Sequence, residues 1–305
     1  MDQIQKNLLA EVADLHEIPT GAYNIRSNGE GAGRRSTENI EIVTKTDKSG
    51  IDINIKPGTV RESVHIPVII SETGLSECVY NDFYIGEGSD VTIIAGCGIH
   101  NCGDQKSQHD GIHTFYVGKN AKVRYVEKHY GEGDGNGDIV LNPQTIVHLE
   151  EGSYMEMDSV QIKGVDSTIR VTKGDVAANA TFIVKEKIMT HGHQLAETDF
   201  QVELNGENSN TNVVSRSVAR DESKQIFKSY IAGNNKCHGH SECDAIIMDN
   251  AKVDAIPGLS ANSVDASLIH EAAIGKIAGE QLVKLMTLGL TESEAEAMIV
   301  NGFLK

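Results

Sequence analysis

YIGEGSDVTII (residues 84–94) and YVGKNAKVRYV (116–126) are one unit written twice, 32 residues apart. Each opens on a short run ending aliphatic, at Ile85 or Val117, passes a tight turn at Gly88 or Asn120, takes a small residue, and continues with alternating apolar positions. Period-two alternation marks a strand that buries one face. Gly and Asn are the residues that tolerate the left-handed backbone of a tight turn. The unit returns in HLEEGSYMEM (148–157), KGDVAANATFIV (173–184), ELNGENSNTNVV (203–214) and MDNAKVDAI (248–256). The turn positions run Gly88, Asn120, Gly152, Asn179, Asn208 and Asn250, with spacings of 32, 32, 27, 29 and 42. A period of about 30 residues with one strand–turn–strand per copy predicts stacked coils, a mainly β chain folded as a parallel β-helix. A β-sandwich with hairpins of similar length is the alternative on pattern alone.

Outward from these repeats, NIEIVTK (39–45) and IDINIK (51–56) also alternate, so the strands are expected to begin near residue 39. Residues 4–15 read as a helix with Ile4, Leu8, Leu9, Val12 and Leu15 on one face. Pro19, Gly21 and GEGAGRR (29–35) are expected to break regular structure. After the strands, GKIAGEQLVKLMTLGL reads as a helix with Leu282, Leu285 and Met286 inward, closed by Gly289. Thr291 and Glu294 form a capping box that opens a second helix over Ala295, Met298 and Ile299. The expected organisation is a small N-terminal helical segment over 1–38, a β-helix core over 39–270 and a helical pair over 271–305.

The 305 residues carry a formal net charge of −17, which disfavours nucleic acid and anionic membrane surfaces as partners. No apolar run approaches the roughly 20 residues that span a bilayer. The N-terminal MDQIQKNLLAEVADLHEIP is amphipathic and acidic rather than a secretory signal, so the expected compartment is the cytoplasm. Five Cys, at 78, 97, 102, 237 and 243, are then expected to be buried or metal-linked rather than paired in disulfides. The chain lacks a GxxxxGK[ST] phosphate loop, so any ATP hydrolysis must come from another chain.

Thiolate and imidazole together suit zinc, ferrous iron or iron–sulfur clusters. In KCHGHSEC (236–243), a continuous strand would point Cys237 and Cys243 to one face and His238 and His240 to the other. GCGIHNC (96–102) brings Cys97, His100 and Cys102 within six residues, on a Gly-rich backbone that could wrap an ion or could be a plain turn. GEGDGNGD (131–138) starts like a calcium loop, but Ile139 stands where that loop needs Gly, so it reads as a solvated turn. His191 and His193 read as exposed loop histidines.

The run SLIHEAAIGKIAGEQLVKLMTLGLTESEAEAMIVNGF (267–303) holds His270-Glu271-Ala272, Gly275-Lys276-Ile277, Gln281-Leu282 and Gly289-Leu290, and ends on Met298-Ile299-Val300-Asn301-Gly302-Phe303. It resembles the C-terminal signature of the SufB/SufD family of iron–sulfur cluster assembly scaffolds. ECDAIIMDNAKVDAIP (242–257) resembles that family's Q/E-C-D stretch and sets Cys243 on its functional cysteine. Residues 98–133 are similar to short archaeal-type members. The resemblance implies a right-handed parallel β-helix, C-terminal helices that bind a SufC-type ABC ATPase, and cluster assembly near a dimer interface. On it, Cys243, His270 and Glu271 would build or hold an iron–sulfur cluster, with Cys237, Cys97 and Cys102 as further ligands. Gln281, Leu282, Leu285, Met298 and Phe303 would meet the ATPase. His270 followed by Glu271 looks like SufB rather than SufD, which implies a homodimer in place of a heterodimer. Ile269 stands where SufB proteins usually carry Glu. The chain is thus expected to be a scaffold, not an enzyme. A Cys–His–Glu hydrolase or transferase on a β-helix, and a metal-free adaptor for the ATPase, are the rival readings. Glu242 and Asp244, flanking Cys243, are expected to raise its thiol pKa.

Overall fold

Alternation carried through nearly every segment builds the structure, a computed structural model that describes residues 2–305. An N-terminal helix α1 (Gln3–Ala13) precedes strands β1 (Ala22–Ser27), β2 (Glu30–Arg35), β3 (Ile40–Thr44), β4 (Gly50–Ile55), β5 (Val60–Ile70), β6 (Ser76–Ile85) and β7 (Asp90–His100). The strands continue as β8 (Ser107–Val117), β9 (Lys122–Glu132), β10 (Ile139–Leu141), β11 (Gln144–Leu149), β12 (Tyr154–Lys163), β13 (Ser167–Val176) and β14 (Thr181–Thr190). They end with β15 (Leu195–Leu204), β16 (Ser209–Ala219), β17 (Lys224–Gly233), β18 (Cys237–Ile247), β19 (Lys252–Ala261) and β20 (Ala266–Gly275), followed by helices α2 (Gly279–Met286) and α3 (Glu292–Phe303).

From β4 on, strands alternate between two ten-stranded sheets, except that β10 and β11 share one, and every pairing other than the hairpins β1–β2 and β3–β4 is parallel. The result is a β-solenoid of about 8 turns, in agreement with the expected β-helix and not with a sandwich. One sheet, here sheet A, runs β2-β1-β5-β7-β9-β12-β14-β16-β18-β20; the facing sheet B ends on β19. Equivalent residues of successive coils stack in columns. On the inner face of sheet A one column reads Ile93, Tyr125, Met157, Val184, Val213, Ser241, His270. Its apolar members belong to one continuous core with Phe83 and Phe115, whose rings stack at 4.3 Å. Each buried side chain of this size contributes about 1.5–3 kcal/mol by leaving water.

The corners explain the period. Gly88, Asn120, Gly152, Asn179 and Asn208 all have positive φ, as their turn role requires. Asn250 does not; the left-handed residue there is Asp249, which follows Gly192 and Asp221 at the opposite corner, where the chain leaves sheet A for sheet B. The spacing of 42 arises from joining two different corners. On the solenoid's flank, Asn262 donates to Asn234, Asn234 to Asn205, and Asn205 to Asp175, each at 2.6 Å, one rung per coil.

Several local expectations change. GEGAGRR does not break the structure: its last six residues form β2, an exposed antiparallel partner of β1. GCGIHNC is not a loop, because Gly96 and Gly98 lie within β7. Helix α1 packs there through Leu8 and Val12, and a Cβ at Gly96 would sit 2.5 Å from the Val12 carbonyl oxygen. The glycines make room for the helix. Ile4 is exposed and Leu15 falls just beyond α1. At the other end β20 runs on to Gly275, past residue 270. The Thr291–Glu294 capping box forms as expected and Gly289 is left-handed, but Met286 points outward. Helix α3 packs Val300 and Leu304 against Val218 and Met248 on the flank of sheet A, so the helices do not close the end of the stack. The last coil is therefore open: on β19 and β20, Leu259 and Ile274 stand exposed in columns that are buried one coil earlier.

Candidate functional site

The open end is where the cysteine and histidine of interest lie. Strand β18 alternates strictly, with Cys237, Gly239, Ser241 and Cys243 inside and His238 exposed outside. Register sets Ser241 opposite His270, Glu242 opposite Glu271 and Cys243 opposite Ala272. His270 therefore faces inward on the last strand, diagonal to Cys243, with Cα atoms about 8 Å apart by strand geometry. Its Nδ1 is buried without a hydrogen-bond partner. Burial, and next the neighbouring His240, hold its imidazole below the usual range, so it is neutral at pH 7 and can serve as a ligand. An unpartnered ring nitrogen beside a thiol at an open coil fits a metal or cluster as cargo.

Cys243 is almost fully buried, and its thiol is pushed up to about 12. Burial is the largest cause, then the carboxylate of Glu186, then Asp244. Glu242, expected to contribute, points to the outer face. Glu186 is a residue that local reading missed. It stacks with Ser215 and Cys243 in one column, at spacings of 29 and 28, so the solenoid period itself was the signal. Ser215 donates to Glu186 at 2.8 Å. Behind it lies a buried polar network. The Arg170 guanidinium reaches Glu186 at 3.3 Å, Glu127 at 3.2 Å and the His129 Nδ1 at 2.7 Å. Burial raises the Glu186 carboxyl, and Arg170 offsets this in part. Removing one partner from such a buried set costs about 3–5 kcal/mol.

The other candidates separate. Cys237 shares the inner face with Cys243 but lies six residues along the strand, about 20 Å away. Cys97 faces the lumen on β7, five strand spacings from β18, or about 24 Å. It borders a lumenal cavity of about 20 Å³ with His109, His113, Glu127 and His129, room for one water. Cys102 is exposed at a corner, with its Sγ 2.9 Å from the Nε2 of His100, whose Nδ1 is 3.4 Å from Glu132. A hydrogen bond with Asp134 pushes that thiol up.

Glu271, adjacent to His270 in sequence, lies on the opposite face of β20. It cannot orient His270 within one chain, which removes the geometric basis of a Cys243–His270–Glu271 hydrolase. Instead its Oε2 lies 3.5 Å from the Nε2 of His240. His240, Glu242 and Glu271 bring ligand atoms within 4.8 Å of one another on the outer face. Burial, and next a hydrogen bond with Asp244, raise the Glu242 carboxyl.

In the helical pair, Gln281 and Met298 are exposed, Leu282, Leu285 and Phe303 are half-buried, and Phe303 packs against the flank cluster. The apolar side chains that face water are Val283, Met286, Leu288 and Met298.

Fold and site define a β-solenoid protein with a thiol–imidazole pair at an open terminal coil. The SufBD core domain of the SUF system for FeS cluster assembly matches residues 74–303. A protein of Archaeoglobus fulgidus named an iron–sulfur cluster assembly SufBD family protein is 31% identical over 264 residues, covering 85% of this chain and 69% of its own. One of the same family name from Methanocaldococcus jannaschii is 31% identical over 79% of this chain and 76% of its own length. Another, from Methanothermobacter thermautotrophicus, is 27% identical over 85% of this chain and 63% of its own. The chain belongs to the SufBD family, whose role is iron–sulfur cluster assembly. No helix among the described residues is long and apolar enough to cross a membrane.

Proposed function

We propose that this chain is a scaffold of a SUF-type assembly machine, building or holding a cluster where two copies meet through their open C-terminal coils. The observation that carries the reading is the inward pair Cys243 and His270 on the last two strands of sheet A. One chain offers it too few ligands, and a two-fold axis at the open end doubles them. The exposed apolar row and the unpaired edges of β19 and β20 give that interface its driving force. Cys243 with a pKa of about 12 is a poor ligand until iron or a partner's charge displaces its proton, so cluster binding is coupled to assembly. A SufC-type ABC ATPase, the partner the family resemblance implies, docks on Val283, Met286, Leu288 and Met298 of the helical pair. The cytoplasm is the compartment that keeps the five thiols reduced.

Anaerobic reconstitution with ferrous iron and sulfide tests the central claim. The protein should take up a cluster with visible charge-transfer absorption, and Cys243→Ser and His270→Ala should each lose most of it. Full cluster retention by Cys243→Ser would remove Cys243 from the ligand set. A metal-free chain that still stimulates the ATPase at full rate would favour the adaptor reading.

A further inference from the structure

We propose that the outer face of sheet A carries a mononuclear site for a divalent transition-metal ion, with His240, Glu242 and Glu271 as its protein ligands, separate from the inward Cys243 and His270. His240 and Glu242 are two apart on β18 and so share the outer face, and register sets Glu271 directly across from Glu242. Three ligands each about 2.0–2.2 Å from one ion stand about 3–4 Å apart. The His240–Glu271 separation of 3.5 Å is already in that range, and the whole set lies within 4.8 Å. Glu271 is the most exposed of the three, so its rotamer is free to close the remainder.

The second observation is the histidine's orientation. The Nδ1–H of His240 donates to the Asn212 Oδ1 at 2.9 Å. That turns the Nε2 edge of the ring toward the Glu271 carboxylate, 3.5 Å away, with the Glu242 carboxylate within 4.8 Å. A polar partner holding the far ring nitrogen is the usual support of a metal-bound histidine. One imidazole with two carboxylates suits ferrous iron, manganese or zinc and offers nothing soft for copper(I). Ferrous iron is the choice that follows from the assembly role, and only that choice rests on the proposed function. The ion would be held one sheet thickness from the Cys243 thiol, loaded from solvent without entering the lumen.

The test uses the full chain, stripped of metal and titrated anaerobically with Co²⁺ as the probe. We expect one ion per chain, with visible d–d bands of an oxygen–nitrogen site and no thiolate charge-transfer band. His240→Ala and Glu242→Gln should each weaken binding at least about tenfold, and Asn212→Ala, which leaves every ligand in place, by about tenfold. Cys243→Ser should bind as the parent does. These outer-face changes should leave the thermal midpoint unchanged, which separates ligand loss from misfolding. A thiolate band that disappears in Cys243→Ser, or binding no tighter than in His240→Ala/Glu242→Gln, overturns the proposal. Cobalt binding without cluster uptake would sink the scaffold reading and leave the ion site standing; cluster uptake without the cobalt site does the reverse.

Discussion

The five cysteines differ most sharply in their access to water. Cys78 and Cys102 are exposed, and Cys97, Cys237 and Cys243 are buried, with burial raising the thiol of each of these three. Native protein treated with a disulfide reagent at pH 8 should therefore show two accessible thiols, Cys102 the slower because Asp134 pushes its thiol up, and three that react only on unfolding. A fast third thiol mapped to Cys243 by mass spectrometry would contradict its placement. The lumenal histidines make a second prediction. Burial pushes His113 down to about 4 and His129 to about 3, against 6.5 when unfolded. Their neutral forms are retained in full above pH 6.5. Between pH 6.5 and about 4 the unfolded chain binds protons that the folded chain does not. Stability should then fall by about 1.4 kcal/mol per pH unit for each histidine. Urea midpoints across that range should show a steep limb, shallower in His113→Gln. At this scale the sequence was legible where alternation alone decides a side, as in KCHGHSEC. At Cys243 it was legible in part: flanking Asp244 does raise the thiol, but the larger charge, Glu186, is 57 residues away and reaches it only through a register that coils of 27 to 32 residues keep shifting.

Among elements, strands were easier to read than their exceptions. The Gly-rich β2 looked like a break because glycine disfavours isolated strands, but pairing with β1 outweighs that cost. Asn250 was assigned to the wrong corner because two kinds of corner use the same residues. For the helices, the capping box and the half-buried Leu282 and Leu285 were legible but the outward turn of Met286 was not, since α2 buries no residue completely. This separates two roles. Val300→Asp should detach α3 from Val218 and Met248 and cost about 2–4 kcal/mol in a urea melt. Leu288→Glu, at 77% exposure, should leave the melt within about 0.5 kcal/mol and abolish co-purification with the proposed ATPase. Equal ATPase binding by both variants would place the docking surface elsewhere.

At the scale of the molecule, every interior coil satisfies its neighbours' backbone and covers their apolar columns, and the last one does not. If that surface is the proposed dimer interface, Ile274→Glu should give monomers by light scattering without lowering the thermal midpoint, because Ile274 is already exposed in the single chain. Persistent dimers would move the interface away from the open end. The period of about 30 announced a stack, but nothing in a repeat says whether its end is covered. That depends on where α3 packs, and one apolar helix face fits an end and a flank equally well.

An uncovered coil is also a template, able to recruit any chain that offers a matching strand, and a stack built this way could in principle grow without limit. The opposite terminus forbids it. There the parallel order is broken by two antiparallel hairpins, β1–β2 and β3–β4, and the outermost strand, Glu30–Arg35, is charged and fully or partly exposed. Head-to-tail addition would meet no matching parallel edge there, which leaves the head-to-head pairing of the proposed dimer as the way to satisfy the open coil. On the proposed pairing, the asymmetry of the two ends would work as a chain terminator, holding the assembly to two and keeping a fold that resembles the building block of a fibre from becoming one.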